Sequence, residues 1–200
     1  MAQYAVLVNG LPGAGKSTLA RDLAPVLGIP LIAKDAIKEA LAAATPGVPP
    51  GALGRIAAEA MWDLAAAIPG GVLLESWWFT PRDRGFAEAG LHRTGAAAAV
   101  EIWCDLPPDV ALARFLSRDR GAPHDDARHA RESWPAWAAE AHPLGIADVV
   151  TVRTDRAVDL PALAERVVTG LGRPPAPTRH AGTVARPPAP LPNASVATGN

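Results

Sequence analysis

Short apolar runs alternate along the chain with longer segments in which apolar residues recur every three or four positions. The runs have the length and composition of buried β-strands and lie at about 4–9, 29–33, 72–75, 98–104 and 148–152. The longer segments predict helices at about 16–27, 36–44, 52–68, 81–89, 107–117, 129–141 and 160–171. This alternation indicates an α/β fold with a parallel sheet that helices cover on both faces.

The loop between the first predicted strand and the first predicted helix matches the complete pattern G-x-x-x-x-G-K-[ST]. Its residues are Gly10, Leu11, Pro12, Gly13, Ala14, Gly15, Lys16 and Ser17. The glycines let the backbone point its N–H groups around a polyphosphate, and the following helix adds the positive end of its dipole. Lys16 can reach the β- and γ-phosphates, and the Ser17 hydroxyl can bind Mg²⁺. We therefore predict a nucleotide-binding loop; the plainer alternative is a glycine-rich turn.

The amino-acid composition indicates which kinds of partner and which cellular compartment to expect for this protein. The formal net charge is −1, which gives no broad basic face and disfavours a nucleic-acid substrate. A single cysteine, Cys104, provides no disulfide framework, and we interpret it as a packing residue. The five histidines show no metal-ligand spacing with it. No secretory leader or apolar run of about 20 residues is visible, so we expect a cytoplasmic protein without a membrane span.

The chain changes character near its end. Seven of its 21 prolines lie within residues 172–200, where large apolar side chains are scarce. Such a segment cannot bury enough apolar surface to offset its ordering entropy. We therefore predict one domain over residues 1–171 and a disordered Pro-rich tail over 172–200.

Three features together resemble the small P-loop kinases: the loop that continues to Thr18, the pair Lys34-Asp35 after the second predicted strand, and Arg114-x-x-x-Arg118. Chloramphenicol phosphotransferases, polynucleotide 5′-kinases, zeta-toxin-like kinases and gluconate kinases belong to this group. The resemblance covers about residues 4–171. It implies a three-layer αβα P-loop fold with a five-stranded parallel sheet, a mobile lid, and the use of ATP and Mg²⁺.

Asp35 follows the second predicted strand, and ligands of open α/β sheets bind at the carboxyl ends of strands. In similar kinases an aspartate at this place accepts the proton of the attacking hydroxyl group. The alternative is an N-cap for a helix beginning at Ala36. Lys38 resembles the basic residue that follows the aspartate in polynucleotide kinases, and a solvated surface lysine is its alternative.

Arginines cluster at the end of the helix predicted at 107–117. Arg114 and Arg118 share a helical face, and Arg120 follows them. The resemblance implies a lid that brings arginine onto the transferring phosphoryl group, so Arg118 and Arg120 are catalytic candidates and Arg114 is a nucleotide-binding candidate. Further lid candidates are Arg128 and Arg131. The alternative is a solvated helix end, where the dipole favours arginine.

An acidic residue and three aromatic residues follow the third predicted strand. Glu75 ends that strand, where it can hold Mg²⁺ through water, bind substrate or make a structural hydrogen bond. Trp77, Trp78 and Phe79 can wall a pocket for a flat or apolar group, or pack beneath the next helix. Trp134 and Trp137, spaced as neighbours on a helix, can close the same pocket or pack as a pair.

These features predict an enzyme that moves the γ-phosphoryl group of Mg·ATP to a hydroxyl group of a small molecule, with an antibiotic- or nucleoside-like acceptor favoured. Asp35, Lys38, Glu75, Trp77 and Trp78 are the substrate-binding candidates. Two alternatives stay open, namely a polynucleotide 5′-hydroxyl kinase and a regulatory ATPase without an acceptor. The acceptor's identity and the oligomeric state are left undetermined.

Overall fold

A computed structural model describes residues 2–117 and 132–172. The strands in these ranges are β1 (Ala2–Asn9), β2 (Leu31–Ala33), β3 (Gly70–Glu75), β4 (Ala98–Asp105) and β5 (Asp148–Arg153). The helices are α1 (Lys16–Leu27), α2 (Lys34–Ala44), α3 (Pro50–Ala67), α4 (Thr80–Thr94), α5 (Pro108–Leu116), α6 (Trp134–Glu140) and α7 (Leu160–Gly170). The alternation predicted from the hydrophobic pattern is confirmed.

The five strands form one parallel sheet in the order β2-β3-β1-β4-β5. In the central strand, Val6 lies opposite Leu73 of β3 on one side and Val100 of β4 on the other. Because the strands are parallel, their carboxyl ends meet at one edge. The loop after β1 therefore lies between the ends of β3 and β4, and the predicted α/β fold is confirmed.

Two apolar cores cover the two faces of the sheet. On one face, α1, α5, α6 and α7 pack over β-strand residues such as Val6, Val8 and Ile102. On the other face, α3 and α4 pack over Leu7 and Leu74. The sheet is thus the middle layer of three, which explains why its strands are apolar on both sides.

Glycine in the middle of α4 permits a close approach of two helices. A Cβ atom at Gly90 would lie 2.3 Å from the indole ring of Trp62, which is fully buried in α3. The bare backbone of α4 therefore packs directly on this ring, and the resulting contact fixes the spacing of α3 and α4.

Several boundaries differ from the predicted ones. β2 begins at Leu31 rather than at residue 29, α2 begins at Lys34 rather than at Ala36, and α4 continues to Thr94. The lid candidates Arg118, Arg120, Arg128 and Arg131, and all of the predicted tail except Gly172, lie outside the described residues. Within residues 2–117 and 132–172, none of the helices combines the length and apolar character that a membrane span requires.

Candidate functional site

The loop after β1 has a backbone that requires glycine. Gly10, Gly13 and Gly15 have φ angles of 144°, 88° and 81°, a region that residues with side chains rarely adopt. Space imposes a second requirement, because a Cβ atom at Gly13 would lie 2.1 Å from the carbonyl oxygen of Ala111 in α5. A Cβ atom at Gly10 would lie 2.7 Å from the carbonyl oxygen of Cys104. The loop is therefore pressed against β4 and α5, as a rigid cradle would be.

Lys16 begins α1 and turns back over its own loop. Its ammonium group is buried and donates a hydrogen bond to the carbonyl oxygen of Leu11 at 3.0 Å. The same group lies 5.9 Å from the ring centroid of Trp77, within the range of a cation–π contact. Gly15 is the N-cap residue of α1 and has no side chain with which to bond the N–H groups of the first turn. These donors and the lysine together can hold phosphate oxygens.

Two carboxylates lie beside this cradle. The Ser17 hydroxyl group donates a hydrogen bond to Glu75 at the end of β3, with 3.3 Å between the oxygens. Burial raises the pKa of Glu75, Lys16 partly opposes the rise, and the negative charge of Asp35 adds to it. Asp35 is thus close enough to act on Glu75, as expected from the carboxyl ends of neighbouring strands. Hard oxygen donors such as Ser17 and Glu75 are of the kind that Mg²⁺ binds.

Asp35 lies in the first turn of α2 and does not cap it. The N-cap residue is Ala33, and no side chain makes a capping hydrogen bond there. The N-cap alternative for Asp35 is therefore wrong, because the helix begins two residues earlier than the sequence pattern suggested. Lys38 lies one helical turn after Asp35, and both side chains are partly buried.

Trp77, the aromatic residue beside Lys16, belongs to a larger aromatic cluster. Trp77 contacts Phe79, with 5.9 Å between ring centroids, and meets Trp137 of α6 edge-on at the same separation. Trp137 contacts Trp134, which stacks on Phe115 of α5. Both interpretations of the two tryptophans of α6 therefore hold. They pack against each other, and Trp137 also contacts Trp77. The Nε1 atom of Trp77 is buried, and no residue of the described ranges accepts a hydrogen bond from it.

The next residue points away from this cluster. Trp78 is buried in the opposite core and packs against Trp62, with 6.0 Å between ring centroids. Successive side chains of an extended segment point to opposite sides, so Trp77 and Trp78 separate. The predicted aromatic wall therefore does not include Trp78, which is a core residue.

A pocket of about 390 Å³ adjoins the other side of the loop. Arg114 of α5 lines it and donates a hydrogen bond to the carbonyl oxygen of Thr154 at 3.1 Å. Gly15 and Thr18 line its inner end, and Val158 lines the part that follows β5. Sequence reasoning missed the segment after β5, although its position at the carboxyl end of a strand is a signal that could have identified it.

Cys104 is a core residue rather than a metal ligand in the part of the chain that the structure describes. Burial raises the pKa of the Cys104 thiol to about 12, so the thiol stays protonated and packs in the core, as predicted. Among residues 2–117 and 132–172, no group of three or more His, Cys, Asp and Glu side chains could hold a metal ion by itself.

Comparison with known proteins places this site in a family. Residues 6–144 match the AAA_33 family, which is described as an AAA domain. The chain belongs to this AAA domain family. The matched range contains the phosphate loop, both carboxylates and the aromatic cluster. Among curated proteins, none is significantly similar in sequence to this AAA domain.

Solved structures show the same fold as this AAA domain. A provisionally named kinase from Chloroflexus aurantiacus is 23% identical, with a TM-score of 0.64 over 84% of this chain and 99% of its own. A gluconokinase from Sinorhizobium meliloti is 20% identical, with a TM-score of 0.54 over 85% and 92%. A shikimate kinase from Bacteroides thetaiotaomicron is 20% identical, with a TM-score of 0.53 over 84% and 98%. The resemblance to small P-loop kinases is thus confirmed in the fold, while the chloramphenicol phosphotransferase group stays a prediction.

Proposed function

We propose that this AAA domain transfers the γ-phosphoryl group of Mg·ATP to a hydroxyl group of a small molecule. The observation that carries the proposal is the position of Asp35, which follows β2 at the sheet edge where Ala33 lies opposite Glu75. A general base for an acceptor hydroxyl group would be needed at this edge, beside the phosphate loop. A regulatory ATPase would use such a base only to activate water, so the two classes differ in whether an acceptor takes up the phosphoryl group. The names of the similar structures, among them a gluconokinase and a shikimate kinase, agree with this class of reaction.

The donor half of the site would lie along the loop and the pocket at Arg114. The N–H groups of Gly13 to Thr18 and the ammonium group of Lys16 would bind the phosphates. Ser17 would hold Mg²⁺, with Glu75 beside it. When bound, Mg²⁺ supplies positive charge that neutralises the β- and γ-phosphate oxygens. The pocket between Arg114 and Thr154 would receive the nucleoside end of ATP.

The acceptor half would lie between Asp35 and the aromatic cluster. The acceptor oxygen bonds to the γ-phosphorus as the bond to the β–γ bridging oxygen breaks, and the hydroxyl proton passes to the Asp35 carboxylate. Lys16 stabilises the negative charge that develops on the transferring group. We assign the same role to Arg118 and Arg120. Lys38 and Glu75 would orient the polar part of the acceptor.

Trp77 supports a flat or partly apolar acceptor. Its ring lies beside the Lys16 ammonium group and is backed by Phe79 and Trp137, so a rigid aromatic surface faces the place of transfer. Aromatic walls of this kind suit antibiotic- or nucleoside-like molecules better than small sugar acids. A polynucleotide 5′-kinase is the second candidate, and the formal net charge of −1 argues against it.

The experiment is phosphate transfer from γ-labelled ATP to a panel of antibiotics, nucleosides, sugars and 5′-hydroxyl oligonucleotides. With the acceptor that takes up label, Asp35→Asn should lower kcat by at least about a hundredfold, the low end for general base catalysis, and leave ATP affinity nearly unchanged. Asp63→Asn is the matched control, because Asp63 is exposed on α3 and forms an ion pair with Arg93 at the surface. Phosphate release without any labelled acceptor would contradict the proposal and favour a regulatory ATPase.

A further inference from the structure

A fully buried polar pair lies directly beneath the phosphate loop. Asn9 ends β1, Glu101 lies in the adjacent strand β4, and both are 0% exposed. The Asn9 amide donates a hydrogen bond to Glu101 at 3.0 Å. Glu101 is paired with Leu7, and both polar residues face the core that α3 and α4 cover. An apolar side chain is the usual occupant of such positions, so these two residues need an explanation.

Asn9 holds the start of the phosphate loop against the aromatic segment. Its side-chain oxygen accepts hydrogen bonds from the backbone N–H groups of Gly10 at 2.8 Å and Trp78 at 3.1 Å. Its amide group also donates to the carbonyl oxygen of Trp78 at 3.2 Å. One side chain therefore fixes both the first glycine of the loop and the backbone that carries Trp77.

Glu101 holds a third segment, which follows α6. Its carboxylate oxygens accept hydrogen bonds from the consecutive N–H groups of Leu144 at 3.0 Å and Gly145 at 3.3 Å. Within the described ranges, no Lys, Arg or His side chain forms an ion pair with Glu101, and its carboxylate oxygens are bonded by the Asn9 amide and these two N–H groups. The same segment is anchored from α4, where the Thr80 hydroxyl group donates to the carbonyl oxygen of His142 at 2.7 Å and Arg84 donates to that of Leu144.

We propose that Asn9 and Glu101 are positioning residues that couple three parts of the site: the phosphate loop at Gly10, the segment that carries Trp77, and residues 142–145, which connect to α6 and its Trp137. This proposal rests on the proposed function for its importance in phosphoryl transfer. The coupling itself concerns nucleotide binding and is tested without an acceptor.

The test uses the full-length protein, a non-hydrolysable Mg·ATP analogue, calorimetric titration and backbone hydrogen exchange. Glu101→Gln should raise the dissociation constant of the analogue about tenfold, because the amide nitrogen of Gln cannot accept a hydrogen bond and one buried donor loses its partner. It should speed amide exchange in residues 9–13, 76–79 and 142–145 and leave α7 unchanged. Glu165→Gln, on the exposed side of α7, is the control and should change neither quantity. Uniformly faster exchange across the sheet with unchanged affinity would overturn the proposal, since it would indicate a purely structural role.

Two further variants keep the test decisive if Glu101→Gln folds poorly. Asn9→Asp combined with Glu101→Gln reverses the direction of the hydrogen bond between the two side chains, so its effect on affinity should be smaller than the product of the single effects. Thr80→Val loosens residues 142–145 from the α4 side and should also weaken analogue binding. The coupling would be overturned if the effects of the two substitutions in the double variant simply multiplied. It would also be overturned if Thr80→Val sped amide exchange in residues 142–145 but left the affinity for the analogue unchanged. Failure to find an acceptor would contradict only the proposed function.

Discussion

Ser17 and Glu75 are joined by a hydrogen bond of 3.3 Å that connects the first turn of α1 to the end of β3. The hydroxyl group proposed to hold Mg²⁺ is therefore positioned by a carboxylate from a neighbouring strand. That carboxylate is buried, and its burial raises its pKa. Burial thus makes the charged form of Glu75 unfavourable at the place where a cation is expected, which has consequences for stability.

Glu75→Gln should stabilise the nucleotide-free protein at neutral pH. Because the pKa of Glu75 is raised by folding, the folded state binds the proton more tightly than the unfolded state, and stability is lost as pH rises through the folded pKa. The variant should therefore have a higher Tm than wild type at pH 8. The difference should shrink as pH falls toward about 4, the ordinary range for glutamate. Thermal unfolding between pH 4 and 8 measures it, and a difference independent of pH would contradict the assignment.

Gly13→Ala should abolish nucleotide binding. Its Cβ atom would meet the carbonyl oxygen of Ala111 at 2.1 Å, and its φ of 88° is strained for alanine. Gly54→Ala in α3 is the matched control, since no atom lies within 4 Å of its added Cβ atom. That control should gain up to about 1 kcal/mol of stability from better helix propensity. Thermal unfolding and ATP titration of both variants distinguish loop distortion from a general effect of alanine.

The variants Trp77→Leu and Trp78→Leu should have different effects. The first should mainly weaken acceptor binding, and the second should mainly lower the stability of the fold. Trp78→Leu removes a ring packed on Trp62 and should cost about 3 kcal/mol, because it leaves a cavity in the core. Trp77→Leu should cost less and raise the KM for the acceptor about tenfold, the equivalent of about 1.4 kcal/mol of lost contact. Denaturant unfolding and steady-state kinetics provide the two readouts. A larger loss of stability for Trp77→Leu would place Trp77 in the core rather than in the acceptor site.

Arg114→Ala should weaken ATP binding about tenfold while kcat stays within about twofold, the pattern of a group that binds ground state and transition state equally. Arg114 lines the pocket beside Gly15 and holds the Thr154 carbonyl group, away from Asp35. Arg55→Ala on the exposed side of α3 is the control. A fall in kcat without a change in ATP affinity would instead assign Arg114 to the transferring phosphoryl group.

Local sequence patterns were sufficient to predict the strands and helices. They also predicted that the two carboxylates of the site lie at the carboxyl ends of neighbouring strands. Asp35 and Glu75 were both expected at carboxyl ends, and the parallel sheet brings these ends together. Other features depend on packing over long distances in sequence. Trp77 and Trp78 look equivalent as neighbours, yet they enter different cores.

Glu101 is the clearest example of a feature that could not be predicted from the sequence. A charged residue in a strand is usually an exposed one, so its sequence context gives no reason to expect complete burial. Two of its hydrogen-bond donors come from residues 144 and 145, more than 40 positions later in the chain, and the third comes from Asn9, more than 90 positions earlier. Only the folded arrangement brings β4 and this segment together, and the role of Thr154 beside Arg114 was missed for the same reason.

The central position of β1 has a consequence for how the chain folds during synthesis. β1 is synthesised before both of its neighbours, β3 and β4, so Val6 can pair with Leu73 and then with Val100 only after those strands have been made. Such long-range parallel pairing closes large loops and slows folding. Until β4 has been made, β1 keeps an unpaired edge beside the phosphate loop. The nascent chain is therefore most exposed to aggregation before β4 emerges.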